Sequence, residues 1–164
     1  MSNDGIRRAV TDDHPEMVRA IQEWWSDSRS PQEARELAFL LPRLFLQHFS
    51  ATSLVVDHGD ELAAFLVGFH SPDHPREAYI HFVGVAPSRR QGGLARALYD
   101  RFFETARGEG RDRVRAVTSP QNTGSIAFHR ALGFELETSH DSESIVFEDY
   151  DGPGQNRVSL VRDL

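Results

Sequence analysis

The sequence predicts an α+β fold: a mixed sheet with helices on both faces, its elements ordered β-αα-βββ-α-β-α-ββ. Three observations predict it. Segments with a period of two alternate irregularly with segments of period 3.6, and three strands fall in a row after two helices, which is neither a Rossmann alternation nor a barrel. A buried apolar run ends at Pro87 and passes through adjacent glycines into an amphipathic helix. The length of 164 residues, 39% hydrophobic and 26% charged, suits one globular domain covering 1–164, able to bury roughly two-thirds of its unfolded surface.

In order along the chain, Ile6–Val10 reads as a short edge strand. Asp13 and Glu16 form a capping-box start for a helix carrying Met17, Val18, Ile21, Trp24 and Trp25 on one face. Ser30-Pro31-Gln32-Glu33 opens a second helix with cap, N1 proline and N3 acid in their preferred places. That helix holds Leu37, Leu40, Leu41, Leu44 and Phe45 and is expected to kink or break at Pro42. Ala51–Asp57 and Leu62–Phe69 make a hairpin across His58-Gly59-Asp60. After a loop at Ser71–Arg76, Ala78–Val85 is the central strand. A helix from Gly93 to Arg107 buries Leu94, Leu98, Phe102 and Ala106 and ends at Gly108 and Gly110. Arg113–Thr118 alternates as a strand, and Thr123–Leu132 is a helix stopped by Gly133. Glu143–Phe147 and Arg157–Val161 are the last strands, separated by the turn-rich Asp149–Asn156.

Composition excludes several chemistries. The formal net charge is −7 without a basic tract, so nucleic acid is not the expected partner. There is no cysteine, hence no disulfide, thiol nucleophile or Cys-based zinc site. All 18 basic residues are arginine, which rules out a P-loop lysine, a pyridoxal Schiff base and an amine nucleophile. No apolar run approaches the ~20 residues that span a bilayer, and no signal peptide is expected, so the reading is cytoplasmic. His70, Asp73 and His74 match no established metal-site spacing, and no metal is expected. The acids Asp141, Glu143, Glu148, Asp149 and Asp151 could steer a cationic ligand or simply face water.

The segment from His81 to Ala95 carries the chemistry. Two adjacent glycines allow a tight turn and close approach of backbone to a ligand. The N–H groups of the helix's first turn point into that space with the positive end of the helix dipole, a setting suited to a pyrophosphate. Each charge-assisted hydrogen bond contributes about 1.5–3 kcal/mol, and the dipole up to ~2, before desolvation of the anion is subtracted. A Gly-Gly pair alone also fits an ordinary turn.

The pattern V-x-P-x-x-R-x-x-G-x-A, Val85 to Ala95, resembles motif A of the GNAT N-acetyltransferase superfamily. Asn122-Thr-Gly-Ser-Ile-Ala-Phe-His-Arg-Ala-Leu-Gly-Phe134 is similar to its motif B, and the element order matches over nearly the whole chain. The resemblance implies a mostly antiparallel central sheet flanked by helices, with acetyl-CoA as co-substrate. Backbone groups of Val83 and Val85 would pair with pantetheine, and the amide of Val85 or a neighbour would stabilise the developing oxyanion. Arg90, Gln91, Gly92, Gly93, Leu94 and Ala95 would surround the pyrophosphate. Asn122 would bond the pantetheine arm, flanked by Ser125 and Phe128, although Asn122 also suits a helix cap and Phe128 simple packing.

The sequence departs from the family twice. Gln91 stands where a glycine is usual, which leaves the path of the turn open. His129 stands where many relatives carry a Tyr that protonates the departing thiolate, and a cationic ring there could serve as general acid. His81, four residues before Val85 on the same strand face, is the candidate base, and Glu77 a lesser one. The expected activity is direct transfer of acetyl to a primary amine of a small molecule, or to a peptide N-terminus. The alternative is a catalytically silent acyl-CoA sensor. A homodimer is left open.

Overall fold

The computed structural model describes residues 5–164. Its strands form one open, mixed sheet in the order β1-β2-β3-β4-β5-β8-β6, with β7 also on β8, parallel only at β4–β5 among the registers described below. The chain divides into two compact units that share strand β4 and helix α4.

The first unit takes in residues up to Phe69 together with Ile80–Thr105. It holds β1 (Ile6–Arg8), α1 (His14–Trp24), α2 (Pro31–Ala38), α3 (Leu44–His48), β2 (Leu54–His58) and nearly all of β3 (Glu61–His70), then the later part of β4 (Glu77–Val85) and most of α4 (Leu94–Gly108). β1 runs antiparallel to β2 with Ile6 opposite Val56, and β2 antiparallel to β3 with Leu54 opposite Leu66. β2 and β3 are joined through Gly59, whose φ of 62° is the left-handed geometry a two-residue hairpin turn demands.

The second helix starts as the sequence predicts. Ser30 Oγ accepts from the Glu33 amide at 3.2 Å, and the Glu33 carboxylate accepts from the Ser30 amide at 2.7 Å. The apolar pattern after it is broken at Pro42, giving α2 and α3 as separate helices. The predicted capping box at Asp13 and Glu16 does not form. A single 3-10 turn over Thr11–Asp13 precedes α1, and Asp13 already has helical torsions (φ −72°, ψ −19°), whereas a capping residue needs an extended backbone. Its carboxylate instead bonds the Val10 amide (2.7 Å) and Arg7 (2.8 Å), and Glu16 accepts from the Leu62 amide at 3.1 Å.

The core of this unit is aromatic beneath β4. Trp24 stacks on Phe65 and Phe65 on Phe82, with centroids 5.8 and 5.9 Å apart, and the half-buried Trp25 meets Phe82 edge-on. Gly84 makes that layer fit. A Cβ there would come within 2.8 Å of the Phe65 ring and 3.2 Å of Trp24.

The second unit comprises His70–Tyr79 and Ala106–Leu164. Glu77, Ala78 and Tyr79 of β4 pair in parallel with Arg113, Val114 and Arg115 of β5 (Arg113–Thr118). β5 is antiparallel to β8 (Arg157–Asp163) along six residue pairs, from Arg113 opposite Asp163 to Thr118 opposite Val158. α5 (Thr123–Ala131) ends at Gly133, whose φ of 87° is the left-handed cap expected there. β6 (Glu135–Leu136) was not predicted; two residues hold no periodicity, and the strand is defined only by its pairing with Val161 and Leu160 of β8. The segment expected as a strand over Glu143–Phe147 is extended only at β7 (Val146–Phe147). Arg115 ties the unit's face together, bonding Glu77 at 2.9 Å and Glu137 at 2.6 Å. Glu137 also accepts from the Ser159 hydroxyl. Among the described residues no helix is long and apolar enough to cross a membrane.

Candidate functional site

Along β4 burial alternates strictly: Ala78, Ile80, Phe82 and Gly84 are buried, while Tyr79, His81, Val83 and Val85 are half-exposed. The period of two therefore puts His81, Val83 and Val85 on one face, as predicted. Strand pairing ends with Ala86, whose amide donates to the Ala63 carbonyl at 2.9 Å. The Ala86 amide is thus committed to the neighbouring strand.

From Pro87 the chain makes a 3-10 turn through Arg89, is extended at Arg90, and enters the left-handed region at Gln91 (φ 66°) and again at Gly93 (φ 82°) before α4 begins at Leu94. The glycine-like path thus persists where glycine is replaced by Gln91. Arg90, Gln91, Gly92 and Gly93 are exposed, and Leu94 and Ala95 half-exposed. The first helical bond into α4 is from the Ala97 amide to the Gly93 carbonyl at 2.9 Å. By helix geometry, the amides of Leu94, Ala95 and Arg96 have no carbonyl within the helix to bond. The Arg90 and Gly92 amides make only long turn bonds of 3.4 Å, to the Pro87 and Arg89 carbonyls. A Cβ on Gly92 would press to 3.2 Å from the Arg89 carbonyl oxygen, so the turn is as tight as the two glycines suggested.

The Arg90 side chain does something the sequence did not show. Its guanidinium reaches back to the carbonyls of Val85 (3.3 Å) and Trp24 (3.0 Å). The side chain braces the turn against β4 and the end of α1, and the residue's expected place around the pyrophosphate falls to its backbone. Trp24 is in the core (7% exposed), so its carbonyl is a rigid anchor.

His81 is held by two partners from the α2–α3 region. Its Nε2 bonds the Leu40 carbonyl, and its ring stacks flat on Phe45, centroids 4.1 Å apart and planes within 2°. In the apolar pattern of the sequence, Leu40 and Phe45 stood out only as part of a helix face. Leu40 lies in the turn after α2 ends at Ala38 and is exposed, so its carbonyl is outside the helical ladder.

The motif B residues belong to the second unit. Asn122 is the N-cap of α5, its Oδ1 accepting from the Ser125 amide at 3.2 Å, so the cap reading holds for that oxygen. Ser125 and Phe128 are half-buried. His129 is buried (7% exposed), its Nδ1 2.7 Å from the Ser125 carbonyl and 3.3 Å from the Ser125 hydroxyl, with Phe128 and Phe134 edge-on to the ring. Burial pushes its pKa below the usual imidazole range, against the smaller upward pull of the Ser125 carbonyl. A general acid at this position would need a charged ring near neutrality, and the structure favours the neutral one.

Several other polar residues are engaged locally. The Arg111 guanidinium clamps the 71–77 loop through the carbonyls of Ser71, His74 and Glu77. Glu77 is paired with Arg115. Asp149 accepts from the Gly154 amide and Asp151 pairs with Arg157 at 2.8 Å, so both acids fold their own loop. A groove of about 650 Å³ at the Glu77 end of β4 is lined by the ion pairs Arg76–Asp112 and Arg113–Asp163; of the candidate catalytic and cofactor residues it holds only Glu77, the lesser base candidate.

The glycine turn, the strand before it and α5 after it are the parts that a family profile would recognise. The sequence profile of the acetyltransferase (GNAT) family matches residues 17–134, well over half of the chain. The chain belongs to that family. This GNAT-family chain is 28% identical over 101 residues to an L-2,4-diaminobutyric acid acetyltransferase of Methylotuvimicrobium alcaliphilum; the match covers 62% of this chain and 58% of the relative. The chain thus spans less than two thirds of that relative's length. Its fold is similar to that of Ard1 from Thermoplasma volcanium, with a TM-score of 0.73 at 21% identity, covering 97% of this chain and 96% of the other. It is also similar to the diaminobutyrate acetyltransferase EctA from Paenibacillus lautus, solved with its substrate L-2,4-diaminobutyric acid and coenzyme A. There the TM-score is 0.68 at 18% identity, covering 96% and 93% of the two chains.

Proposed function

We propose that the chain is an acetyl-CoA-dependent N-acetyltransferase that moves the acetyl group directly to a primary amine of a small, amino-acid-like molecule. The observation that carries the proposal is the exposed Arg90–Ala95 turn. Left-handed torsions at Gln91 and Gly93 and a glycine at 92 bring backbone to the surface where α4 begins. Such a turn suits the diphosphate of coenzyme A and needs no lysine. Acetyl-CoA supplies an activated thioester, and the rest of the chemistry falls to this chain's own groups.

Val83 and Val85, near the end of β4, are proposed to offer backbone groups to the pantetheine arm, and the Val85 amide is our candidate for the oxyanion. Asn122, Ser125 and Phe128 are proposed to contact the same arm, Asn122 through its Nδ2 donor. His81 is the proposed base. Deprotonating an alkylammonium of pKa ~10.4 at pH 7 costs about 4–5 kcal/mol, and an α-ammonium of pKa ~8 about 1.4, so a base matters most for the former. His129, held neutral, contributes packing of α5 in this reading. The chain acts as one cytoplasmic enzyme over its whole length. The relatives named for L-2,4-diaminobutyric acid make a diamino acid the first acceptor to try.

The test is release of CoA from acetyl-CoA across a panel of small amines that includes L-2,4-diaminobutyrate. At least one amine should turn over. Tight acetyl-CoA binding without CoA release in any mixture would instead favour the silent acyl-CoA sensor.

A further inference from the structure

We infer that the α2–α3 connection sets the tautomer of His81, so that Nδ1 and not Nε2 takes the acceptor's proton. The inference deepens the base reading above and rests on it. A carbonyl oxygen only accepts, so the contact between His81 Nε2 and the Leu40 carbonyl requires the proton on Nε2. In the neutral ring the lone pair is then on Nδ1. A base must carry its lone pair where the proton arrives, so a ring fixed this way can act only through Nδ1.

Several features keep that carbonyl in place. Leu41 is buried (1% exposed), and its own carbonyl accepts from His14 Nε2 at 2.8 Å. Two consecutive carbonyls, Leu40 and Leu41, therefore each hold a histidine. Both carbonyls lie between α2, which ends at Ala38, and α3, which begins at Leu44, so neither belongs to a helical ladder. Phe45, in the first turn of α3, lies flat against the His81 ring and fixes its plane, while the Leu40 carbonyl selects Nε2 within that plane. Phe45 is thus a positioning residue, acting through His81. All four groups, Leu40, Leu41, Phe45 and His81, lie within one compact unit.

The experiment is a long-range proton–nitrogen correlation spectrum of the full chain labelled with ¹⁵N-histidine at neutral pH, with His81 assigned by its loss in His81→Ala. Expected is a single neutral tautomer, with a protonated Nε2 and a bare Nδ1. Phe45→Ala should admit the second tautomer and lower kcat on the order of 3–10-fold, in proportion to the ring population displaced, with KM for acetyl-CoA unchanged. Phe45→Tyr should restore both spectrum and kcat, which a general loss of stability would not predict. A His81 carrying its proton on Nδ1, or exchanging freely between tautomers in the unsubstituted protein, would overturn the inference even if His81→Ala is inactive. Full turnover in His81→Ala would overturn the base reading instead, while the spectrum alone still decides the tautomer.

Discussion

Gln91 occupies a left-handed backbone conformation that costs a residue with a side chain roughly 1–2 kcal/mol, while glycine enters it freely. Gln91→Gly should therefore be neutral or stabilise the fold by up to about 1 kcal/mol, because glycine's greater freedom in the unfolded chain offsets part of the gain. Gln91→Val, β-branched at the same torsion, should destabilise by about 1–2 kcal/mol; urea midpoints of the two variants check the sign. His81→Ala should lower kcat by about 10²–10⁴ at neutral pH with acetyl-CoA affinity unchanged, and turnover within twofold of the parent would make His81 structural. At this scale the sequence was a partial guide. The identities of His81, Gly92 and Gly93 were legible from spacing, because a strand, a turn and a helix start each leave a local signature. The partners of Arg90 and His81 were not, since Trp24, Leu40 and Phe45 are remote in sequence and contribute two carbonyls and a ring plane, which no motif encodes. The surroundings of His129 were not legible either: burial lowers its pKa, and spacing does not report burial.

Among the elements, β4 has the most constrained packing. Gly84 gives the Phe65 and Trp24 rings their space, and Gly84→Ala should destabilise by about 1–3 kcal/mol, measured by chemical denaturation. Because Trp24 also supplies the carbonyl that Arg90 bonds, the same substitution should weaken CoA binding, whereas Arg90→Ala should weaken it with a smaller loss of stability. Several elements were predicted closely: the start of α2 from its capping box, α4 within a residue at each end, the stop of α5 from Gly133, and β5 from alternation, whereas α2 ends at Ala38, earlier than the expected break at Pro42. The missed β6 and the shortened β7 owe their existence to pairing with β8, not to any pattern of their own. The Asp13 box failed because the 3-10 turn and Arg7 claimed the carboxylate first.

For the whole molecule, pH is the revealing variable. His129 and His70 both have pKa values pushed below the ordinary imidazole range, first by burial. A base with a lowered folded-state pKa binds fewer protons folded than unfolded once the pH falls below about 6.5, so stability declines from there towards the folded pKa and then levels off. Unfolding free energies near pH ~7.5 and ~5.5 should differ in that direction, and His129→Phe should reduce the difference. A wild-type stability that rises on acidification through this window would mean that burial does not control these rings. The division into two compact units has no sequence signature, because contact density between distant segments leaves no local pattern.

The reading of the chain as an acetyltransferase depends on backbone amides at the start of α4 gripping a diphosphate, and calorimetric titration of coenzyme A into wild type and Gly93→Val measures that grip directly. Valine cannot follow a φ of 82° without strain, so the turn must move and release two or more charge-assisted bonds. The expected result is CoA affinity weaker by about 100-fold or more, with the circular dichroism of the folded protein retained. Equal affinity in the two proteins would contradict the account.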